Sequence, residues 1–246
     1  MARTDLWRRG IAEAIGTAFL VAVVVGSGIA AERLSPGDVG LQLFENAAAT
    51  AAGLVALILA LGPVSGAHFN PVVTLADRAF GGIDNRDVLA YVPSQIFGGA
   101  AGAVIANVMF SEPAFQLSDR VRSGGGVWTS EVVATAGLLL VIFGVVRSGR
   151  STAAPFAVGA YIGSAYFFTS STSFANPAVT IARSFSDTFA GIDPSSAAPF
   201  ITCQLVGLAI AAGAIAVLYP DAPDVADDVV VPTLTKRGGG RRRTGR

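Results

Sequence analysis

The sequence predicts an all-α membrane protein: six transmembrane helices plus two re-entrant half-helices, arranged as inverted repeats. Three observations lead there. The chain has 246 residues, of which 52% are apolar and only 14% charged, whereas about a quarter of an ordinary globular chain is charged. Six long apolar runs can be marked, at about 10–31, 43–62, 87–110, 127–147, 153–170 and 197–219, each near the ~20 residues that a helix needs to cross a bilayer. Finally, one stretch occurs twice. Asn70-Pro71-Val72-Val73-Thr74-Leu75-Ala76-Asp77 and Asn176-Pro177-Ala178-Val179-Thr180-Ile181-Ala182-Arg183 are identical at five of eight positions.

The first run starts after Arg8-Arg9, carries Glu13 and is too long for the apolar part of a signal peptide, so it is expected to stay as a span. Span 4 repeats its pattern, Glu131-x-x-x-Thr135 matching Glu13-x-x-x-Thr17. Span 6 repeats span 3, with Thr202-Cys203-Gln204-Leu205-Val206-Gly207 against Pro93-Ser94-Gln95-Ile96-Phe97-Gly98. Three spans per half reverse the direction of the second half. The repeats are therefore inverted, an architecture of transporters and channels with the working site at mid-membrane. The expected division is a first repeat over 1–110, a connection over 111–126 ending in Gly124-Gly125-Gly126, a second repeat over 127–220 and a disordered tail over 221–246. An even number of spans puts both termini on one side. Thirteen of the 17 Lys and Arg residues fall on that side and four (Arg33, Arg120, Arg122, Arg183) on the other, which predicts cytoplasmic termini in the cell (inner) membrane. The tail turns basic from Lys236 to Arg246, a solvated orientation signal or a patch for anionic lipid. The 29 glycines suit close helix packing in lipid.

The two Asn-Pro stretches read as helix starts. Asn at the N-cap accepts from an otherwise unpaired backbone N–H, and Pro at the first helical position lacks a donor that would have gone unmet. Each follows a loop of small residues, Ser65-Gly66-Ala67-His68-Phe69 and Ser171-Thr172-Ser173-Phe174-Ala175, and each is too short to span. Irregular backbone at that depth must be buried in protein or line a wet cavity.

These paired boxes, the first read as Asn-Pro-Val, resemble the two Asn-Pro-Ala boxes of the aquaporin (major intrinsic protein) family, and the resemblance runs from about Ile11 to Tyr219. It implies that Asn70, Pro71, Val72, Asn176, Pro177 and Ala178 meet at the pore centre, the two Asn amides aimed into it and the carbonyls of 66–69 and 173–175 forming a ladder of acceptors. Glu13 and Glu131, costly within a span, would accept from the re-entrant loops, as matching glutamates do in the family; proton relay is the other reading. His68, a lone histidine that makes no metal site, is expected to position its loop. Carried over by spacing from the two Asn residues, the selectivity filter falls on Thr50, Ser164, Ser173 and Val179. Water-specific members carry an aromatic, a His, a small residue and an Arg there. With Val179 in place of the Arg and Ser164 in place of the His, the expected constriction is wide, mildly polar and uncharged. Arg183 either reaches back into the pore mouth or pairs with Asp187 at i+4.

The second box and its sequel, Asp187-Thr188-Phe189-Ala190-Gly191-Ile192, resemble the bacterial aquaporins encoded in arsenic-resistance operons. That likeness implies passage of arsenous acid and methylated arsenicals, with water and glycerol as co-permeants, and homotetramers. Two alternatives remain, a general water and glycerol facilitator and a proton-coupled transporter using Glu13 or Glu131. An enzyme is not expected, since there is no nucleophile–base pair. The single Cys203 excludes an internal disulfide and a Cys-rich metal site, and no metal or cofactor is expected. A net charge of zero gives no sign of a nucleic-acid partner.

Overall fold

The computed structural model describes residues 5–219, so the basic tail lies outside the described residues. Six long helices and two half-helices follow one another: α1 (Leu6–Leu34), α2 (Val39–Ser65), the half-helix α3 (Pro71–Phe80), α4 (Asn85–Met109), α5 (Gly125–Arg147), α6 (Ala154–Phe168), the half-helix α7 (Pro177–Arg183) and α8 (Pro194–Leu218). Among the described residues there is no strand. All six apolar runs of the sequence are helical, each within a few residues of its expected limits.

Five of the six are long and apolar enough to cross a membrane on their own. The sixth, α6, has 15 residues, about 23 Å at 1.5 Å per residue. A 3-10 turn at Ser151–Ala153 precedes it. That turn adds roughly 6 Å and brings the segment to nearly the ~30 Å of a hydrocarbon layer. The glycines expected to end the connection partly join α5 instead: Gly125 and Gly126 form its first turn, and Gly124 precedes it at φ 121°.

Helix crossings rest on missing side chains. A Cβ added at Gly98 or Gly102 of α4 would stand 2.1 Å from the carbonyl oxygen of Ala14 or Ala18 on α1, closer than any real contact. At the matching crossing of α5 and α8, a Cβ on Gly207 would come within 2.7 Å of the Val132 carbonyl oxygen. Small residues permit this approach, and dispersion then acts over the whole contact.

The half-helices tie the repeats together. α3 packs against α4 of its own half and against α5 and α8 of the other, while α7 packs against α8 and also against α1 and α4. A cluster of buried apolar residues, including Val21, Val25, Phe69, Leu139 and Ile142, surrounds the place where they meet.

Candidate functional site

The site is built on two buried carboxylates. Glu13 Oε1 accepts from Ser65 Oγ (2.6 Å) and the His68 amide (3.0 Å), and Oε2 from the Phe69 amide (2.7 Å) and Gln95 Nε2 (2.8 Å). Glu131 repeats the pattern. Its Oε1 accepts from Ser171 Oγ (2.6 Å) and the Phe174 amide (2.9 Å), its Oε2 from the Ala175 amide (2.9 Å) and Gln204 Nε2 (2.6 Å). Both glutamates are fully buried. An unpaired ion at that depth would cost several kcal/mol, and four donors per carboxylate offset it. Gln95 and Gln204 also donate to Thr74 and Thr180 in the half-helices, each at 2.9 Å.

Held this way, the loops adopt a conformation that side chains ordinarily avoid. Ala67, Phe69, Thr172, Ser173 and Ala175 all lie at φ between 46° and 62°. Non-glycine residues there cost of order 1–3 kcal/mol each and persist only where the surroundings over-determine them. At the end of each loop comes the Asn. Asn70 Oδ1 accepts from the Val72 amide, and Asn176 Oδ1 from the Ala178 and Val179 amides, with Pro at the first helical position in both.

Their amides cross over. Asn70 Nδ2 donates to the Ala175 carbonyl and Asn176 Nδ2 to the Phe69 carbonyl, both at 2.8 Å. The two half-helices thus meet tip to tip. The innermost carbonyl of each expected acceptor ladder is taken up by the opposite Asn. Each primary amide keeps a second N–H, and both side chains line a cavity of about 630 Å³ including its open mouths. Much of the remaining lining is apolar, including Leu20, Val24, Leu54, Ile58, Val158 and Ile162.

Of the four expected filter residues, Thr50, Ser173 and Val179 are buried and line this cavity; Ser164 does not. Ser164 is exposed on the outside of α6 and donates to the Tyr161 carbonyl at 2.8 Å. Tyr166 occupies the lining instead, its hydroxyl 3.1 Å from Thr50 Oγ1. The reason is helical phase. Two positions along an α-helix turn the side chain through about 200°, so an alignment error of two residues replaces the lumen by the lipid face. The expectation of an uncharged lining is corrected on a second count. Arg183, 2% exposed, lines the cavity beside Val179.

Arg183 is not paired with Asp187. That carboxylate accepts from Ser118 Oγ and the Asp119 amide, and α7 ends at Arg183, so no i+4 geometry exists. Instead Arg183 Nε donates to the Ala190 carbonyl, and the guanidinium lies 3.5 Å over the centre of the Phe174 ring. Arg122, from the connection between the repeats, approaches the same ring at 5.3 Å and donates to the Gly191 and Phe189 carbonyls. Burial first, and the neighbouring Arg183 charge second, push the Arg122 guanidinium down to about 9. Ser173 Oγ, also at this level, has no hydrogen-bond partner among the described residues.

At the opposite mouth, His68 Nε2 stands 3.3 Å from Asp77 Oδ2, and Nδ1 is 3.1 Å from Thr74 Oγ1. The His68 backbone amide is bound to Glu13 while its ring meets Thr74 and Asp77. Nearby, Arg9 is ion-paired with Asp87, which closes the foot of α1 on α4. The matched recurrence of Gln95 and Gln204, and of Thr74 and Thr180, was a sequence signal for residues with a shared task. Tyr166, Phe174 and Asp77 left no such signal.

The sequence model of the family described as Major intrinsic protein matches residues 1–173, a stretch that ends just before the second Asn-Pro box. The chain is 49% identical over 207 residues to the aquaglyceroporin AqpS of Rhizobium meliloti (strain 1021), covering 84% of this chain and 88% of that protein. It is 31% identical over 163 residues to Aquaporin Z of Bradyrhizobium diazoefficiens, covering 60% of this chain and 67% of that one. Among solved structures, the aquaglyceroporin from Plasmodium falciparum superimposes with a TM-score of 0.67 at 18% identity, over 89% of this chain and 99% of that chain. The fold, the paired boxes and these likenesses agree, and the chain belongs to the major intrinsic protein family, the family of the aquaporins and aquaglyceroporins.

Proposed function

We propose that this protein is a passive membrane channel for small neutral solutes rich in hydroxyls: water, glycerol and metalloid acids such as arsenous acid. The observation that carries this reading is the cavity at the two half-helix tips, lined by the polar Asn70, Asn176, Ser173 and Thr50 together with apolar side chains. A polyol or a metalloid acid presents oxygens to these polar groups while its remaining surface rests on the apolar side chains. Each half-helix brings about half a positive charge to the centre, and such a pair of dipole ends in an aquaporin-type pore sets a barrier to cations and protons. Glycerol gains support from the name of the relative AqpS, an aquaglyceroporin. Arsenous acid rests on its neutrality and its hydroxyls.

Asn70 and Asn176 serve as the central donors, and Thr50, Tyr166, Ser173 and Val179 ring the outer constriction. Glu13 and Glu131 act as loop scaffolds, since four donors already occupy the oxygens of each. The repeats over 1–110 and 127–220, cytoplasmic termini and a homotetramer belong to the same reading. The test is stopped-flow light scattering of proteoliposomes. Glycerol and arsenite gradients should relax faster than in protein-free vesicles. Equal rates would overturn the reading, and accumulation of solute against its gradient when a pH gradient is imposed would establish a coupled transporter instead.

A further inference from the structure

The seventh residue after each Asn is charged, with opposite signs: Asp77 after Asn70 and Arg183 after Asn176. Both fold back from their half-helix onto the ring two residues before that Asn. Asp77 meets His68 at 3.3 Å, and Arg183 lies 3.5 Å over Phe174. Each ring is braced by an aromatic at the matching place on α4 or α8. Tyr91 stands edge-on to His68 at 5.3 Å and 71°, Phe200 to Phe174 at 5.2 Å and 74°. The inverted symmetry therefore sets this seventh residue against the matching ring at both ends, and of the two Arg183 lines the cavity.

At the outer end the delivered group is incompletely satisfied. A guanidinium carries five N–H donors. One, on Nε, is taken by the Ala190 carbonyl. The two Nη nitrogens have no hydrogen-bond partner among the described residues, although the side chain is 2% exposed and borders the cavity with Val179, Ser173 and Tyr166. No carboxylate among the described residues forms an ion pair with it. The ring beneath and the Nε bond hold the guanidinium flat, with its remaining donors available to the lumen.

We propose that Arg183 is the specificity-determining cation of the outer constriction, reaching it from one turn further along α7 and filling the place beside which Val179 stands. Its Nη groups bind the hydroxyl oxygens of a passing solute, its charge repels cations, and its bulk limits solute size. This rests on the channel reading given above.

The test uses Arg183→Cys in a Cys203→Ser background, reconstituted as the full chain. Loss of the bulk that limits solute size should raise the ratio of glycerol to water permeability about tenfold, and loss of the charge should open a proton leak. Treatment with 2-aminoethyl methanethiosulfonate, which restores a positive charge on the thiol, should reverse both effects, whereas neutral methyl methanethiosulfonate should not restore proton exclusion. A purely structural role, with Arg183 only anchoring the Ala190 loop, lowers all permeabilities together and makes the two reagents equivalent; that result overturns the proposal. Phe174→Leu removes the ring but keeps the charge and should shift the ratio in the same direction by a smaller factor. If Arg183→Cys does not fold, this variant decides, and an unchanged ratio overturns the proposal. Wild-type vesicles without flux would overturn the channel reading and this proposal together, while flux that ignores both substitutions overturns this one alone.

Discussion

At Glu131, two oxygens meet four donors, two of them backbone amides that have no alternative partner at that depth. Glu131→Gln replaces one acceptor oxygen by an NH2 group that faces donors. It should destabilise the protein by about 2–4 kcal/mol, seen as a lower denaturation midpoint in detergent, with Glu131→Asp recovering part of it. Both glutamates were legible in the sequence because a carboxyl is rare in an apolar run and these two recur in register. Tyr166 was not. An aromatic in a span looks like any apolar filler, and counting back from Asn176 takes no account of where α6 ends. The correction gives a paired prediction: Ser164→Leu leaves the glycerol-to-water permeability ratio unchanged, while Tyr166→Ala raises it severalfold in the same vesicle assay. Adding a cation at the neighbouring site, Val179→Arg, should suppress glycerol passage while sparing water.

The half-helices were readable as elements from Asn, Pro and the small-residue loops that precede them, and capping explains why those residue types stand there. What the sequence did not reveal is that each Asn also serves the other element. Asn176→Ala removes a cap, about 1 kcal/mol, and leaves the buried Phe69 carbonyl without its donor, about 1–3 kcal/mol more. The predicted outcome is a loss larger than a surface cap gives, measured as the shift in denaturation midpoint, and coupled non-additively to Asn70→Ala in a double-mutant cycle. For the long helices, the contact of Gly98 and Gly102 with the α1 backbone leaves no room for a methyl group. Gly98→Val should force α1 and α4 apart and abolish monodisperse protein on size exclusion, where the same change at Gly213, with nothing within 4 Å of its absent Cβ, should be tolerated.

Over the whole molecule, the inverted repeat was visible in matched motifs, and the structure carries it down to individual hydrogen bonds. The symmetry is broken by charge: an acid paired with an imidazole at one mouth, a guanidinium on a benzyl ring at the other. Pattern matching could not reveal this, because Asp77 and Arg183 occupy one of the three positions of the repeated octet that differ. Since α3 packs on α5 and α8, and α7 on α1 and α4, neither repeat can complete its own core. A chain divided between Pro113 and Ala114 should conduct glycerol when both fragments are co-expressed and fail when either is expressed alone.

The crossed amides also set a schedule for biogenesis. Among the described residues the Phe69 carbonyl obtains its side-chain donor only from Asn176, 107 positions further along the chain. A chain stopped before Asn176 would leave that oxygen without this donor, so the first re-entrant loop waits for the last third of the polypeptide to complete its bonding.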